Sequence, residues 1–221
     1  VGQLLTAAEL AIERHVPVEQ ARQVLRAAYR KGLVDKVQEG VDRYRVLGVP
    51  ASTLSSVHTH TVGAGFKPRS LVREVVVEPA SAQVAEKLRV EIGSPVYRYV
   101  RTRYVDEEPL ANQVNYMPFE VCPGMESHDV TRQSFQKLLE DKYLAVLTKV
   151  HECLALLPAD DTDREILGLP EHGFILLIER LGLGATGWPL VWANIRIRPD
   201  RYQYVAALWP KAAELLKYQV G

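Results

Sequence analysis

Ser81-Ala82-Gln83-Val84-Ala85-Glu86-Lys87-Leu88-Arg89-Val90-Glu91-Ile92-Gly93-Ser94-Pro95-Val96-Tyr97-Arg98-Tyr99 reads as a short helix, a turn and the start of an apolar strand, and the pattern occurs twice. Shifted by 80 residues, Asp161–Leu167 is again a short helix. The turn Leu167-Gly168-Leu169-Pro170-Glu171-His172-Gly173 follows with one residue inserted, and Phe174–Gly182 is again an apolar strand. Each strand turns and returns through a matching pair, Pro109-Leu110 and Pro189-Leu190. The unit is therefore helix, strand, turn, strand. Two such hairpins, with strands at Val72–Glu78 and near Leu144–Leu157, predict a mostly antiparallel sheet with helices on it, an α+β architecture. A further helix near Ser134–Asp141 sits between the halves.

Side chains alternate across a strand, so Tyr97, Tyr99, Arg101 and Arg103 share one face. Guanidiniums two residues apart lie roughly 7 Å from each other. Such a pair suits bidentate binding of a phosphate or carboxylate. The alternative is a solvent-facing strand side with salt-bridging arginines. Along Leu190–Arg198 the odd positions Val191, Ala193, Ile195 and Ile197 are apolar, so they face a core or an apolar cavity.

Residues 1–47 differ in character. Thr6-Ala7-Ala8-Glu9 has the spacing of a capping box, which satisfies free N–H groups at a helix start. His15-Val16-Pro17 ends that helix, and Pro17 suits the first turn of a second one. The second runs to about Lys31, with Gly32 as its C-cap. Its expected apolar stripe is Ala21, Val24, Leu25 and Ala28. Arg22, Arg26 and Arg30 recur at spacings of four, a mutually repulsive arrangement that a phosphate backbone would reverse. Leu33–Gln38 and Asp42–Val46 read as a hairpin turning at Glu39-Gly40. Helix, turn, helix and hairpin together make a winged helix-turn-helix, which places its second helix in the major groove. With 8 Lys+Arg against 6 Asp+Glu in this segment, its electrostatic footprint is small.

The chain has 221 residues, 47% hydrophobic, with 27 Lys+Arg against 27 Asp+Glu, enough for one or two cored domains and no polyanion. Nothing approaches the roughly 18 unbroken apolar residues of a membrane helix. The start lacks a basic region followed by an apolar run, so no signal peptide is expected; it also lacks Met, so first residues are expected to be missing. Cys122 and Cys153 argue against a disulfide framework and suit a reducing cytoplasm. Several enzyme signals fail. Gly182-Leu183-Gly184-Ala185-Thr186-Gly187 matches GxGxxG, but Trp188-Pro189-Leu190 opens a strand where a dinucleotide site needs a helix, so these glycines are read as a hairpin turn. His58-Thr59-His60 lacks a third metal ligand at familiar spacing. Asp160-Asp161-Thr162-Asp163 suits a helix N-terminus better than a calcium loop.

In order and spacing, several pieces resemble the GntR-family transcriptional regulators of the HutC type, which join a winged helix-turn-helix to a UTRA effector-binding domain similar in fold to chorismate lyase. The pieces are Leu5–Ala11, Ala21–Ala27, Lys31-Gly32-Leu33-Val34, Gly65-Phe66-Lys67-Pro68, Val84–Leu88, Gly93-Ser94-Pro95-Val96, Glu108-Pro109-Leu110-Ala111, Ile166–Pro170 and Arg198–Tyr202. The resemblance implies a DNA-binding domain at 1–47, without its first helix, a linker at 48–53 and a UTRA domain at 54–221. It implies DNA contacts at Val18, Gln20, Arg22, Gln23, Arg26 and Gly40. Pro17, Val18 and Asp42 depart from the family pattern. The effector site maps onto Ser55, Ser56, His58, Arg101, Arg103, Gln113, Ser134, Gln136, Val191 and Ile197.

In sugar-phosphate-binding relatives the two arginines and serines hold the phosphate, which makes an anion clamp the expected role of Arg101 and Arg103. Gln113, Val191 and Ile197 replace the Glu, Glu and Tyr of such relatives, so a carboxylic acid or phosphate with a hydrophobic body is expected. The resemblance further implies operator DNA as partner, a homodimer formed through the effector domains, a cytoplasmic location, no cofactor and no membrane. The loop around Ser55–His60, next to the linker, is the expected coupling element. Two other classes remain: an enzyme similar to chorismate lyase acting on a dicarboxylate, and a ligand-binding protein with weakened DNA binding.

Overall fold

The computed structural model describes residues 2–37, 42–46, 68–105, 107–128, 131 and 135–202. Near the N-terminus a short strand β1 (Leu4–Thr6) leads into α1 (Ala7–Arg14) and α2 (Val18–Arg30), followed by β2 (Val34–Lys36) and β3 (Arg43–Val46). Thr6 caps α1: its hydroxyl accepts from the Glu9 amide at 3.2 Å, and the Glu9 carboxylate accepts from the Thr6 amide at 2.8 Å. His15, left-handed at φ 54°, closes α1, and Pro17 stands at the N-cap of α2. The strands form an antiparallel ribbon in the order β1-β3-β2, so the hairpin gains a strand from ahead of the first helix. Ala7, Ala11, Ala21, Leu25, Val34 and Tyr44 form the core beneath. Val24 departs from the expected stripe: it is 55% exposed, because the core sits beneath Ala21 and Leu25 and Val24 lies to one side of that line.

The remainder is built on one six-stranded antiparallel sheet in the order β4-β5-β6-β9-β8-β7. Its strands are β4 (Pro68–Pro79), β5 (Pro95–Val105), β6 (Glu108–Pro118), β7 (Lys149–Pro158), β8 (Phe174–Leu183) and β9 (Pro189–Ile197). The repeat appears as two hairpins, β5–β6 and β8–β9, joined side by side through β6 and β9. The strand expected near 144–157 begins five residues later, because Ala145 and Leu147 are drawn into the core before pairing starts.

Two short helices, α3 (Ala82–Leu88) and α5 (Asp161–Leu167), occupy equivalent places ahead of the two hairpins and cover one sheet face. Leu88, Val96 and Trp192 pack beneath α3, and Leu167 and Ile175 beneath α5. Asp160 and Asp163 cap α5 reciprocally, so the acidic run serves a helix start. The opposite face carries α4 (Phe135–Tyr143) and two single 3-10 turns at Phe119–Val121 and Met125–Ser127. Tyr97, Tyr99, Met117, Cys122, Leu138 and Leu139 form the core on this side. No helix among the described residues is long and apolar enough to cross a membrane.

Candidate effector pocket and its relatives

Register across the sheet assembles a site that no single strand contains. Arg101 lies opposite Gln113, Gln113 opposite Ile195, and Ile195 opposite Ile178. A second row runs Tyr99, Asn115, Ala193, Arg180, Glu152, and a third runs Arg103, Ala111, Ile197. Partners directly opposite in antiparallel strands point to the same face. Between these rows and α4 lies a pocket with about 80 Å³ open to the centre of a water-sized sphere. One water needs roughly 10–15 Å³ on that measure, so the space suits a small organic molecule.

One side of the pocket is cationic. Arg101 is only 4% exposed, its guanidinium 5.6 Å from the Tyr99 ring and 5.5 Å from the Phe135 ring. Its Nε and Nη2 donate to Gln113 Oε1 at 3.1 and 3.0 Å. Gln113 Nε2 donates to Asn115 Oδ1 at 2.8 Å, and Asn115 Nδ2 donates to the Tyr99 carbonyl at 3.2 Å. This relay fixes the Gln113 amide with its oxygen toward Arg101, and no carboxylate among the described residues neutralises the charge. Burial lowers the pKa of Arg101. Burial, with Arg101 and Arg180 nearby, pushes the Arg103 guanidinium down to about 9. A third guanidinium, Arg180, has a counter-ion: its Nε lies 2.5 Å from Glu152 Oε1. The opposite side is apolar, from Val191, Ala193, Ile195 and Ile197 of β9 with Leu110 and Ile178. No carboxylate, imidazole or thiol lines the pocket among the described residues.

Of the residues expected at an effector site, Arg101, Arg103, Gln113, Gln136, Val191 and Ile197 all line this pocket. Ser55, Ser56, His58 and Ser134 lie outside the described residues. The solvent-facing alternative for the arginine pair fails, since α4 roofs that strand face and buries Arg101. Sequence reasoning missed Arg180, Asn115 and Tyr202. Parity within Phe174–Gly182 puts Arg180 on the face of Ile178, but only strand pairing brings that face to the arginine pair.

On α2, Val18, Gln20, Gln23 and Arg26 are exposed. Arg22 is tied to Glu19 at 2.5 Å and to Asp42 at 3.7 Å. Gly40 lies outside the described residues. Arg30 does not continue the cationic stripe. It is turned toward the sheet domain, where its Nε meets Glu120 Oε1 at 2.9 Å and its guanidinium lies 5.1 Å from the Trp188 ring.

Residues 63–203 match the UTRA domain family model. The chain belongs to the UTRA-domain family. It is 30% identical over 139 residues to the HTH-type transcriptional regulator GmuR of Bacillus subtilis, covering 62% of this chain and 57% of GmuR. The matched part thus spans little more than half of that relative. It is 28% identical over 191 residues to the uncharacterized HTH-type transcriptional regulator YurK of the same organism, covering 82% of this chain and 79% of YurK. Among solved structures, PhnF from Mycobacterium smegmatis superposes with a TM-score of 0.67 at 18% identity, covering 96% of this chain and 94% of PhnF. The C-terminal domain of YurK matches with a TM-score of 0.56 at 23% identity, covering 61% of this chain and 92% of that domain. These structures share the fold, and the relatives matched by sequence are transcriptional regulators.

Proposed function

We propose that this protein is a DNA-binding transcriptional regulator of the HutC type whose operator affinity is set by a small anionic, partly apolar effector held in the UTRA pocket. One observation carries the reading: two adjacent guanidiniums, Arg101 buried and Arg103 half-buried, face an apolar wall, with no carboxylate lining the pocket among the described residues. A buried cation left uncompensated is costly, and an incoming phosphate or carboxylate removes that cost. The apolar wall receives the rest of the ligand and offers no groups for sugar hydroxyls. The N-terminal helices and ribbon, residues 1–47, act as a winged helix-turn-helix, with Gln20, Gln23 and Arg26 toward DNA. Two copies pair through their effector domains, and the effector acts through its preference for one arrangement of the two reading heads.

The test is a thermal-shift comparison of phenyl phosphate, an aliphatic dicarboxylate and hexose phosphates, followed by binding to the protein's own upstream intergenic DNA at two salt concentrations. The aryl phosphate or dicarboxylate should stabilise wild type and leave the double variant Arg101→Ala/Arg103→Ala unmoved. DNA binding should be specific and weaken steeply with salt. Stabilisation by hexose phosphates alone would overturn the ligand class, and absence of specific DNA binding would favour a ligand-binding protein without a regulatory role. The pocket lining, with no acid, base or nucleophile beyond tyrosine among the described residues, supports a binding site rather than a lyase.

A further inference from the structure

The turn between β8 and β9 joins two parts of the molecule. Its strands carry the pocket wall: Val191 lines the cavity and lies opposite Gly182 in the register. There is no slack at that point, since a Cβ on Gly182 would meet Val191 Cγ1 at 2.8 Å and Leu147 Cδ2 at 3.0 Å. The outer end of the turn grips the last residues of α2, the helix read above as facing DNA. Thr186 Oγ1 donates to the Tyr29 carbonyl at 2.7 Å. Trp188 lies edge-on to Tyr29, with ring centroids 6.4 Å apart, and packs under the Arg30 guanidinium. Glu120, from the 3-10 turn after β6, completes the grip on Arg30.

Two glycines, one from each domain, permit the approach. A Cβ on Gly32 would sit 2.5 Å from Ala185 Cβ, and one on Gly184 would run into the Arg30 carbonyl oxygen. The glycines of the Gly182–Gly187 run therefore have separate uses. Gly182 packs on the pocket wall, Gly184 admits the helix end, and Gly187 takes φ +77° in the turn.

We infer that this dock is the contact through which pocket occupancy controls the DNA-reading helix: a ligand seated against β9 stiffens the β8–β9 turn and strengthens its hold on the end of α2. The inference rests on the effector-pocket reading. It differs from a route through the segment between the domains because it requires residues on both sides of the dock. Linkage makes it testable without knowing the natural ligand: a ligand that strengthens the dock must lose affinity when the dock is broken, by up to the factor by which it strengthens the dock.

The experiment titrates the full chain with phenyl phosphate, comparing wild type with Arg30→Ala, Gly184→Ala and Arg101→Ala/Arg103→Ala, and follows hydrogen exchange at residues 27–33. Arg30 belongs to the N-terminal domain and does not touch the pocket, so its variant reports coupling alone. The expected result is a loss of affinity of about 5-fold or more in both dock variants, the low end of usual coupling. Phenyl phosphate should also slow exchange at 27–33 in wild type and not in Gly184→Ala. Unchanged affinity in Arg30→Ala, with exchange at 27–33 indifferent to ligand, would overturn the inference and leave the pocket intact. No binding to wild type, or equal binding to the double arginine variant, would remove the pocket reading and the inference with it.

Discussion

In the proposed effector pocket, Gln113 is the residue that would set which anions fit. Its amide oxygen occupies the inner edge of Arg101 without cancelling the charge, and Asn115 prevents the amide from reversing. In Gln113→Glu an internal ion pair would form, and the protein would fold with its anion demand already met. Loss of phenyl phosphate binding without loss of cooperative unfolding, measured by titration and by urea denaturation, checks this. Arg103 makes the complementary case. Partial burial beside Arg101 and Arg180 opposes its charge. Arg103→Met should raise the melting temperature of the ligand-free protein by about 2–4 °C, equivalent to roughly 1 kcal/mol, while abolishing stabilisation by the anion. A differential scanning calorimetry trace with and without phenyl phosphate reads both effects.

At the scale of elements, α2 divides its arginines between two duties. Arg26 is exposed, Arg22 is shared with Glu19 and Asp42, and Arg30 is committed to Glu120 and Trp188. Arg26→Ala should therefore weaken DNA binding and lower the salt slope of log K by about 1, whereas Arg30→Ala should leave the slope unchanged. Fluorescence anisotropy across a salt series separates the two. Helix α5 depends on a different charge. Burial pushes the Asp163 carboxyl up, but hydrogen bonds from Arg196 and the Asp160 amide pull it below the usual carboxylate range. A folded-state value below the unfolded one means stability that is present above the unfolded value and is lost as pH falls through the folded one. Asp163→Ala should cost about 2 kcal/mol at neutral pH, because it removes the buried partner of Arg196, which keeps Asp160, together with half of the α5 capping box, and should remove part of the acid limb of a stability–pH profile.

For the whole molecule, the two hairpins of the repeat meet at β6 and β9, and the pocket lies over that seam. This is why one guanidinium pair from the first hairpin and one apolar strand from the second face each other. Pairing of two copies would set the two α2 helices at a spacing matched to operator half-sites. Light scattering of the full chain should give about twice 24.8 kDa, and a monomer at micromolar concentration would overturn the dimer.

Period-two alternation and turn chemistry are local, so the residues alone determined the strand faces, the repeated unit, the capped helices and the hairpin reading of Gly182–Gly187. The polarity of β9 and the guanidinium pair of β5 were legible for the same reason. Which strands lie side by side was not, because pairing of β6 with β9 joins residues far apart in the chain and depends on the shared core. Hence Arg180 and Asn115 went unread as pocket residues. The helical position of Arg30, last in the arginine stripe, was plain, but its partners Glu120 and Trp188 come from distant loops, and only the tertiary packing around the close backbone contacts at Gly32 and Gly184 commits it to the sheet domain.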